Sequence, residues 1–136
     1  MAVILIATDD AAAVSHFGQT LASLGHTPLP LASTENIVED VTLNGVAAIL
    51  IAENIGPYSS WDCCEMLRRD PTVPADLPVF MLTPGRGNVR RLEKCGFTGT
   101  MEPQITAGEL AEELSRHLGE NAAPEDIDPL ADLRLG

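Results

Sequence analysis

Three continuous apolar runs dominate the chain, and each is closed by a polar or acidic residue. They are Val3–Thr8 (VILIAT), Val46–Ala52 (VAAILIA) and Val79–Thr83 (VFMLT). Runs of this length without alternating polar positions are typical of strands that are covered on both faces. Two weaker runs, Thr27–Ala32 and Thr98–Glu102, also favour strands. Because the two prolines in Thr27–Ala32 cannot donate hydrogen bonds to a ladder, we expect that strand at an edge of the sheet.

Between the strands, apolar residues recur every three or four positions, which predicts five helices. The predicted helices are Ala11–Leu24, a segment that begins after a cap at Ser33 or Thr34 and ends at Asn44, Trp61–Asp70, Asn88–Cys95 and Thr106–Leu118. The residues expected to face the core are Val14, Phe17, Leu21 and Leu24 in the first helix, Ile37, Val38 and Val41 in the second, and Leu110, Leu114 and Leu118 in the fifth. Glycine, a favoured C-terminal cap, follows four of the five helices.

The third predicted helix carries two adjacent cysteines. We expect Cys64 and Leu67 to face the core, with Met66 as a further candidate, and one of the two cysteines to remain partly exposed. The segment Glu53–Ser60 (ENIGPYSS), which precedes this helix, contains a Gly-Pro pair and is predicted to be a loop.

Five strands alternating with five helices predict an α/β fold. The expected architecture is a doubly wound, five-stranded parallel sheet with helices on both faces. We expect residues 1–119 to form one domain. Residues 120–136 are acidic and contain two prolines, so we expect them to form a mobile tail.

Charge and composition narrow the classes of partner. The chain has 8 Lys+Arg and 20 Asp+Glu, a formal net charge of −12. This argues against nucleic acids and anionic membrane surfaces as partners, because both need clustered cations. No apolar run approaches the roughly 20 residues of a membrane span, and no basic segment precedes the first run as in a secretory signal. Three cysteines without metal-ligand spacing favour free thiols in a reducing cytoplasm.

Five segments, in order along the chain, resemble the receiver domains of bacterial two-component response regulators. They are ILIATDD, AAILIAENIGP, DCCEMLRRDP, LPVFMLTP and CGFTGTMEP. The resemblance covers residues 2–118. It implies a flavodoxin-like sheet with strand order 2-1-3-4-5, in which ligands bind beyond the carboxyl ends of the strands.

The resemblance also assigns an acidic pair and a phosphoacceptor position. Asp9 matches the second member of the family's acidic pair, and Thr8 stands where the first member is usually acidic; shifting the register by one makes the pair Asp9-Asp10. Glu53 matches the phosphorylated Asp, because its spacing to Pro57 is that of the family. Mg²⁺ prefers oxygen ligands of this kind, so Asp9 and Glu53 are candidate metal ligands.

Three further positions follow the family pattern only in part. Thr83 matches the hydroxyl that reports the phosphoryl group, and Thr100 falls where an aromatic switch residue is usual. Glu102 stands where the family has a Lys that pairs with the phosphoryl oxygens, which reverses a charge.

These departures predict a degenerate receiver without enzyme activity. Its pocket, formed by Asp9, Asp10, Glu53, Thr83 and Glu102, would not run a phosphorylation cycle, and the domain would act as a phosphorylation-independent protein interaction module in bacterial signalling. No cofactor is required, although Mg²⁺ could bind the acidic residues. Two alternatives stay open: a divergent, phosphorylatable receiver with Mg²⁺ at Asp9, Asp10 and Glu53, and a small flavodoxin-like enzyme or ligand binder.

A cluster of basic residues indicates where a partner would bind. Four of the eight cations, Arg86, Arg90, Arg91 and Lys94, lie at or on the predicted fourth helix. In an acidic chain, such a patch suits an acidic signalling partner or the acidic face of a second copy. The resemblance implies that contact runs through the fourth helix, the fifth strand, where Thr100 lies, and the fifth helix.

Overall fold

Strands and helices alternate along the chain as predicted. The structure, a computed structural model, describes residues 2–31, 33–55, 58–84 and 89–118. Its elements are β1 (Val3–Ala7), α1 (Ala11–Ser23), β2 (Thr27–Leu31), α2 (Ile37–Asn44), β3 (Val46–Ala52), β4 (Asn54–Ile55), β5 (Tyr58–Ser59), α3 (Ser60–Arg69), β6 (Val79–Leu82), α4 (Val89–Cys95), β7 (Gly99–Met101) and α5 (Ala107–Leu118). The predicted tail, residues 120–136, lies outside the described residues.

A five-stranded parallel sheet is built from the three strong apolar runs at its centre and the two weak runs at its edges. Its strand order is β2-β1-β3-β6-β7, and every neighbouring pair is parallel. Counted within this sheet alone, the order is the predicted 2-1-3-4-5. The expected α/β fold is therefore confirmed, with β2 and its prolines at an edge.

Alternate residues of each central strand supply the two halves of the core. Leu5 of β1 packs in the cluster beneath α2, α3 and α4, whereas Ile4 packs in the cluster beneath α1 and α5. Successive side chains of a strand point to opposite faces, so a strand buried on both faces needs apolar residues throughout. This explains why the central runs show no polar alternation.

Helix α1 is followed by the glycine expected from its sequence, whereas the aspartate that caps its N-terminus was not predicted as a cap. The Asp10 side chain accepts a hydrogen bond from the Ala12 N–H at 3.0 Å and forms the N-cap. Phe17 and Leu21 are fully buried as predicted, while Val14 is half-buried. At the other end, Gly25 adopts a positive φ of 89°.

The start of α2 differs from its prediction. Its N-cap position is Asn36, which makes no side-chain cap hydrogen bond. The Ser33 hydroxyl accepts from the Glu35 N–H at 3.3 Å, and the Thr34 side chain is buried. A turn at residues 35–36 thus separates the two predicted caps from the helix, and neither of them caps it.

A short antiparallel hairpin replaces the loop predicted at Glu53–Ser60. Strand β4 pairs with β5, Asn54 opposite Ser59 and Ile55 opposite Tyr58. The Ile55 side chain is only 2% exposed and joins the core cluster beneath α2, α3 and α4. The Ile55 side chain therefore anchors the hairpin to the core of the domain.

Both adjacent cysteines of α3 are buried, contrary to prediction. Cys63 is 4% exposed, Cys64 is 0% exposed, and Met66 is 43% exposed, so Met66 does not face the core. Helix α3 contacts α2, α4 and β5 as well as packing in the shared cluster. Its buried arc is therefore wide enough to include two residues that lie about 100° apart on a helix.

Arg68 joins the end of α3 to the end of α4. Its Nε donates to the Gly96 carbonyl at 2.9 Å, and one of its terminal nitrogens donates to the Ala75 carbonyl at 3.2 Å. Gly96 has a φ of +93°, and a Cβ built on it would lie 2.6 Å from the Arg68 Cγ. The glycine is thus required both by the backbone and by the close approach of Arg68.

This contact predicts a difference between two otherwise similar glycine substitutions. Gly25→Ala places a side chain at positive φ in open space and should lower the free energy of unfolding by about 1–2 kcal/mol. Gly96→Ala carries the same backbone cost and also displaces Arg68, so we expect about 2–4 kcal/mol. Urea denaturation of both variants measures the difference, and equal losses would show that the Arg68 contact contributes nothing.

Candidate functional site

Polar side chains follow four strands of the main sheet at the edge where those strands end. Asp9 lies two residues beyond β1, while Glu53, Thr83 and Glu102 directly follow β3, β6 and β7. Because the strands are parallel, these residues share the carboxyl edge of the sheet. Asp9, Glu53 and Glu102 are exposed, and Thr83 is half-buried. The sequence therefore predicted correctly which edge these residues occupy.

In the turn from β1 to α1, the side chains of Thr8 and Asp10 accept hydrogen bonds from the backbone. Thr8 is 3% exposed, and its hydroxyl accepts from the Asp10 N–H at 3.1 Å. The Asp10 carboxylate in turn accepts from the first turn of α1, as described above. Of the two consecutive aspartates, Asp9 is the one whose side chain makes no such helix cap.

Glu53 lies at the base of the hairpin. Its carbonyl accepts from the Ser60 N–H at 2.9 Å, which brings the first residue of α3 back to the end of β3. The Ser59 side chain accepts from the Trp61 N–H at 3.2 Å and caps α3. Ser60 is fully buried, and its hydroxyl has no hydrogen-bond partner among the described residues.

Thr83 and Glu102 lie on the ends of neighbouring strands. The Thr83 N–H donates to the Met101 carbonyl at 3.1 Å, which continues the contact between β6 and β7 beyond their last paired residues. Glu102 follows Met101 directly, so the predicted hydroxyl and the predicted charge reversal are adjacent. This is the pair of site residues that backbone geometry most clearly brings together.

Among the described candidate site residues at the carboxyl edge, the charged ones are all acidic: Asp9, Asp10, Glu53 and Glu102. Across the described ranges, no group of three or more His, Cys, Asp or Glu residues could hold a metal ion. Binding of Mg²⁺ by Asp9 and Glu53 alone stays a prediction.

Helix α4 presents the predicted basic surface, with Trp61 of α3 beside it. Arg90, Arg91 and Lys94 are exposed, and we call these three residues the α4 basic surface. The Arg91 guanidinium lies 4.1 Å from the centre of the Trp61 ring, a cation–π contact. Trp61 packs edge-to-face on Phe97 with ring centres 5.4 Å apart. Sequence reasoning missed this stack, because Trp61 lies on a different helix, far along the chain from Arg91 and Phe97.

Thr100 and Arg86 were also predicted to belong to the partner surface, and the structure describes only the first of them. Thr100 lies half-buried in β7, next to α4 in the fold. Arg86 lies outside the described residues.

The cysteines pack as core and near-core residues. Burial raises the pKa of the Cys64 thiol to about 12, so this thiol is protonated at neutral pH. Partial burial and the neighbouring Glu65 carboxylate also raise the pKa of Cys95. All three cysteines are free thiols.

In the part of the chain that the structure describes, no helix is long and apolar enough to cross a membrane.

Solved receiver domains share this architecture closely. A chemotaxis protein of Vibrio cholerae, CheY4, is 18% identical, with a TM-score of 0.76, and the match covers 86% of this chain and 98% of that chain. The receiver domain of a sensor histidine kinase from Pseudomonas aeruginosa, with a magnesium ion coordinated in its active site cleft, is 19% identical (TM-score 0.75; 87% and 98% covered). A two-component response regulator from Clostridium difficile is 14% identical (TM-score 0.76; 90% and 100% covered).

These comparisons define the class of fold. No protein-family model matches the chain. No curated protein matches it either. The structural likeness confirms the resemblance to receiver domains at the level of the fold, across nearly the whole of the described chain.

Proposed function

We propose that this chain is a pseudo-receiver: a protein interaction module of bacterial signal transduction that works without a phosphorylation cycle. The observation that carries the proposal is the presence of Glu53 and Glu102 at the carboxyl edge of a receiver fold, where the family has a phosphorylated Asp and a Lys. The domain therefore keeps the scaffold of a receiver and replaces its chemistry.

Electrostatics disfavour a phosphoryl group at this edge. A phosphoryl group brings nearly two negative charges, and here it would lie beside Asp9 and Glu102 rather than beside an ammonium group. Two like charges about 4 Å apart repel by about 4 kcal/mol at an effective dielectric constant of about 20. A carboxylate at 102 therefore opposes the intermediate that a lysine would stabilise.

The geometry of α1 supports the same proposal. A receiver that binds Mg²⁺ uses acidic residues after its first strand, whereas here Thr8 is buried and the Asp10 carboxylate caps α1. Recruiting Asp10 to a metal would cost the helix its cap, worth about 1 kcal/mol. This leaves Asp9 as the readiest acidic ligand at this turn.

The α4 basic surface supports a role in protein contact. In a chain of net charge −12, three exposed cations on one short helix form a local field that an acidic protein surface would recognise. The stack on Trp61 orients Arg91. We propose that a cytoplasmic signalling partner, or the acidic face of a second copy, binds here and next to β7 and α5.

Intact-mass spectrometry after incubation with acetyl phosphate and Mg²⁺ tests the proposal directly. We expect the mass of this chain to stay unchanged, while a phosphorylatable receiver treated in parallel gains one phosphoryl group. A stoichiometric, hydroxylamine-sensitive mass increase that is lost in Glu53→Gln would contradict the proposal, and would favour a divergent but active receiver.

A further inference from the structure

A groove lies at the amino edge of the sheet, opposite the candidate site. Its volume is about 430 Å³. The apolar part of its lining comes from the starts of β1 and β3, from the connector before β6, and from the end of α5; it includes Val3, Ala47, Leu77, Pro78 and Leu118. Receiver function as proposed above makes no use of this edge.

An irregularity in the pairing of β1 with β3 lies in the lining of the groove. Val3 pairs with Val46, but the next residue, Ile4, pairs with Ala48, so Ala47 has no partner residue on β1. Such a bulge locally interrupts the ladder and re-aims a side chain. Ala47 is half-buried and lies in the groove lining.

One wall of the groove is held rigidly. The connector contributes Pro74 and Pro78, whose rings fix the backbone φ. The Leu77 N–H donates to the Pro74 carbonyl at 3.2 Å, and the Ile49 N–H donates to the Pro78 carbonyl at 2.9 Å, which ties the wall to β3. The groove is therefore a preformed feature rather than a gap between loose segments.

The chain leaves the described fold at the groove itself. Leu118, the last residue of α5, lines it, and residues 119–136 follow directly. This acidic stretch contains four large apolar residues, Ile127, Leu130, Leu133 and Leu135, spaced two or three positions apart. Apolar residues at such density are unusual for a purely solvating linker.

We propose that residues 119–136 fold back and place these apolar side chains in the groove of the same molecule. Ile127 lies nine positions beyond Leu118, a stretch that can span up to about 30 Å, so the chain easily reaches the groove. A tether this short gives an effective concentration in the millimolar range, so that weak apolar contacts suffice.

The charges of the groove and of residues 119–136 are compatible with this docking. Among the described residues that line the groove, Asp76 alone is acidic, and in the sequence of residues 119–136 Arg134 is the one Lys or Arg. The segment therefore offers one cation for an attractive pairing with Asp76. Because the attraction is mainly apolar, we expect it to persist at high salt.

Hydrogen exchange measured by mass spectrometry on the full chain tests the proposal. The variant carries Leu130→Asp with Leu133→Asp, and the control carries Ala131→Asp, which adds charge and removes no large apolar residue. If the effective concentration of the tethered segment at the groove exceeds the dissociation constant of its docking about tenfold, docking slows exchange of the covered amides about tenfold. We therefore expect about tenfold faster exchange in peptides covering residues 45–47 and 74–78 of the double variant, with α4 unchanged.

Each other outcome overturns the proposal. Unchanged exchange in the double variant means that the segment does not cover the groove. The same acceleration in Ala131→Asp means that charge, not apolar contact, is responsible. Protection that grows with protein concentration means that a second copy supplies the segment. None of these results depends on whether Glu53 accepts a phosphoryl group.

Discussion

A chain carrying Glu53→Asp together with Glu102→Lys is expected to take up a phosphoryl group from acetyl phosphate, which the parent chain does not. Asp shortens the side chain by one methylene, and Lys replaces a negative charge by a positive one at the end of β7, on the same edge of the sheet. Removing a repulsion of about 4 kcal/mol alone changes an equilibrium by roughly a thousandfold. Intact mass after incubation with Mg²⁺ and the phosphodonor measures uptake.

The single variant Glu53→Asp is the matched control for this result. Glu53→Asp alone should stay unlabelled or nearly so, because the carboxylate of Glu102 remains at the same edge of the sheet. Equal labelling of Glu53→Asp and of the double variant would show that Glu102 is not the barrier. No labelling of the double variant would place the barrier elsewhere, in the buried Thr8 or the hairpin next to Glu53.

Ile55→Ala is expected to give a large loss of stability. Ile55 is 2% exposed and is the apolar anchor of the hairpin, so its truncation leaves a cavity in the core cluster. Such substitutions typically lower the free energy of unfolding by about 2–5 kcal/mol. Chemical denaturation monitored by circular dichroism measures the change.

Leu43→Ala provides a control of similar chemistry. Leu43 is 81% exposed, so its truncation should change the free energy of unfolding by less than about 0.5 kcal/mol. A loss at Ile55 no greater than that at Leu43 would refute the role of Ile55 as the anchor.

Most of the fold could be predicted because its central strands are unbroken apolar runs and its helices carry apolar residues every three or four positions. The runs at Val3–Thr8 and Val46–Ala52 are typical of buried strands and form them, and the helical stripe containing Phe17 and Leu21 is buried as expected. These patterns are redundant, since several residues indicate the same element and one polar exception does not change the outcome.

The elements that prediction missed depend on single contacts. Each strand of the hairpin has two residues, too few for any period, and its burial rests on Ile55. The burial of Cys63 follows from neighbours on both sides of α3. Neither the hairpin nor the burial of Cys63 can be predicted from the sequence near these residues alone.

The site was predictable in position but not in detail. Strand ends fixed the edge that Asp9, Glu53 and Glu102 occupy. The capping role of Asp10 and the stacking of Arg91 on Trp61 depend on side-chain geometry, which spacing along the chain does not determine.

The prolines of β2 have a consequence for the behaviour of the protein at high concentration. The Thr27 N–H donates to the Ala2 carbonyl, next to the start of β1. Backbone N–H directions alternate along a strand, so the backbone nitrogens of residues 28 and 30 point away from β1, toward the open edge of the sheet. Pro28 and Pro30 occupy these positions and offer no donors to an incoming strand. The opposite edge, β7, is only three residues long. Both borders of the sheet therefore make poor templates for intermolecular β-pairing, which protects the protein from fibrous aggregation in a crowded cell.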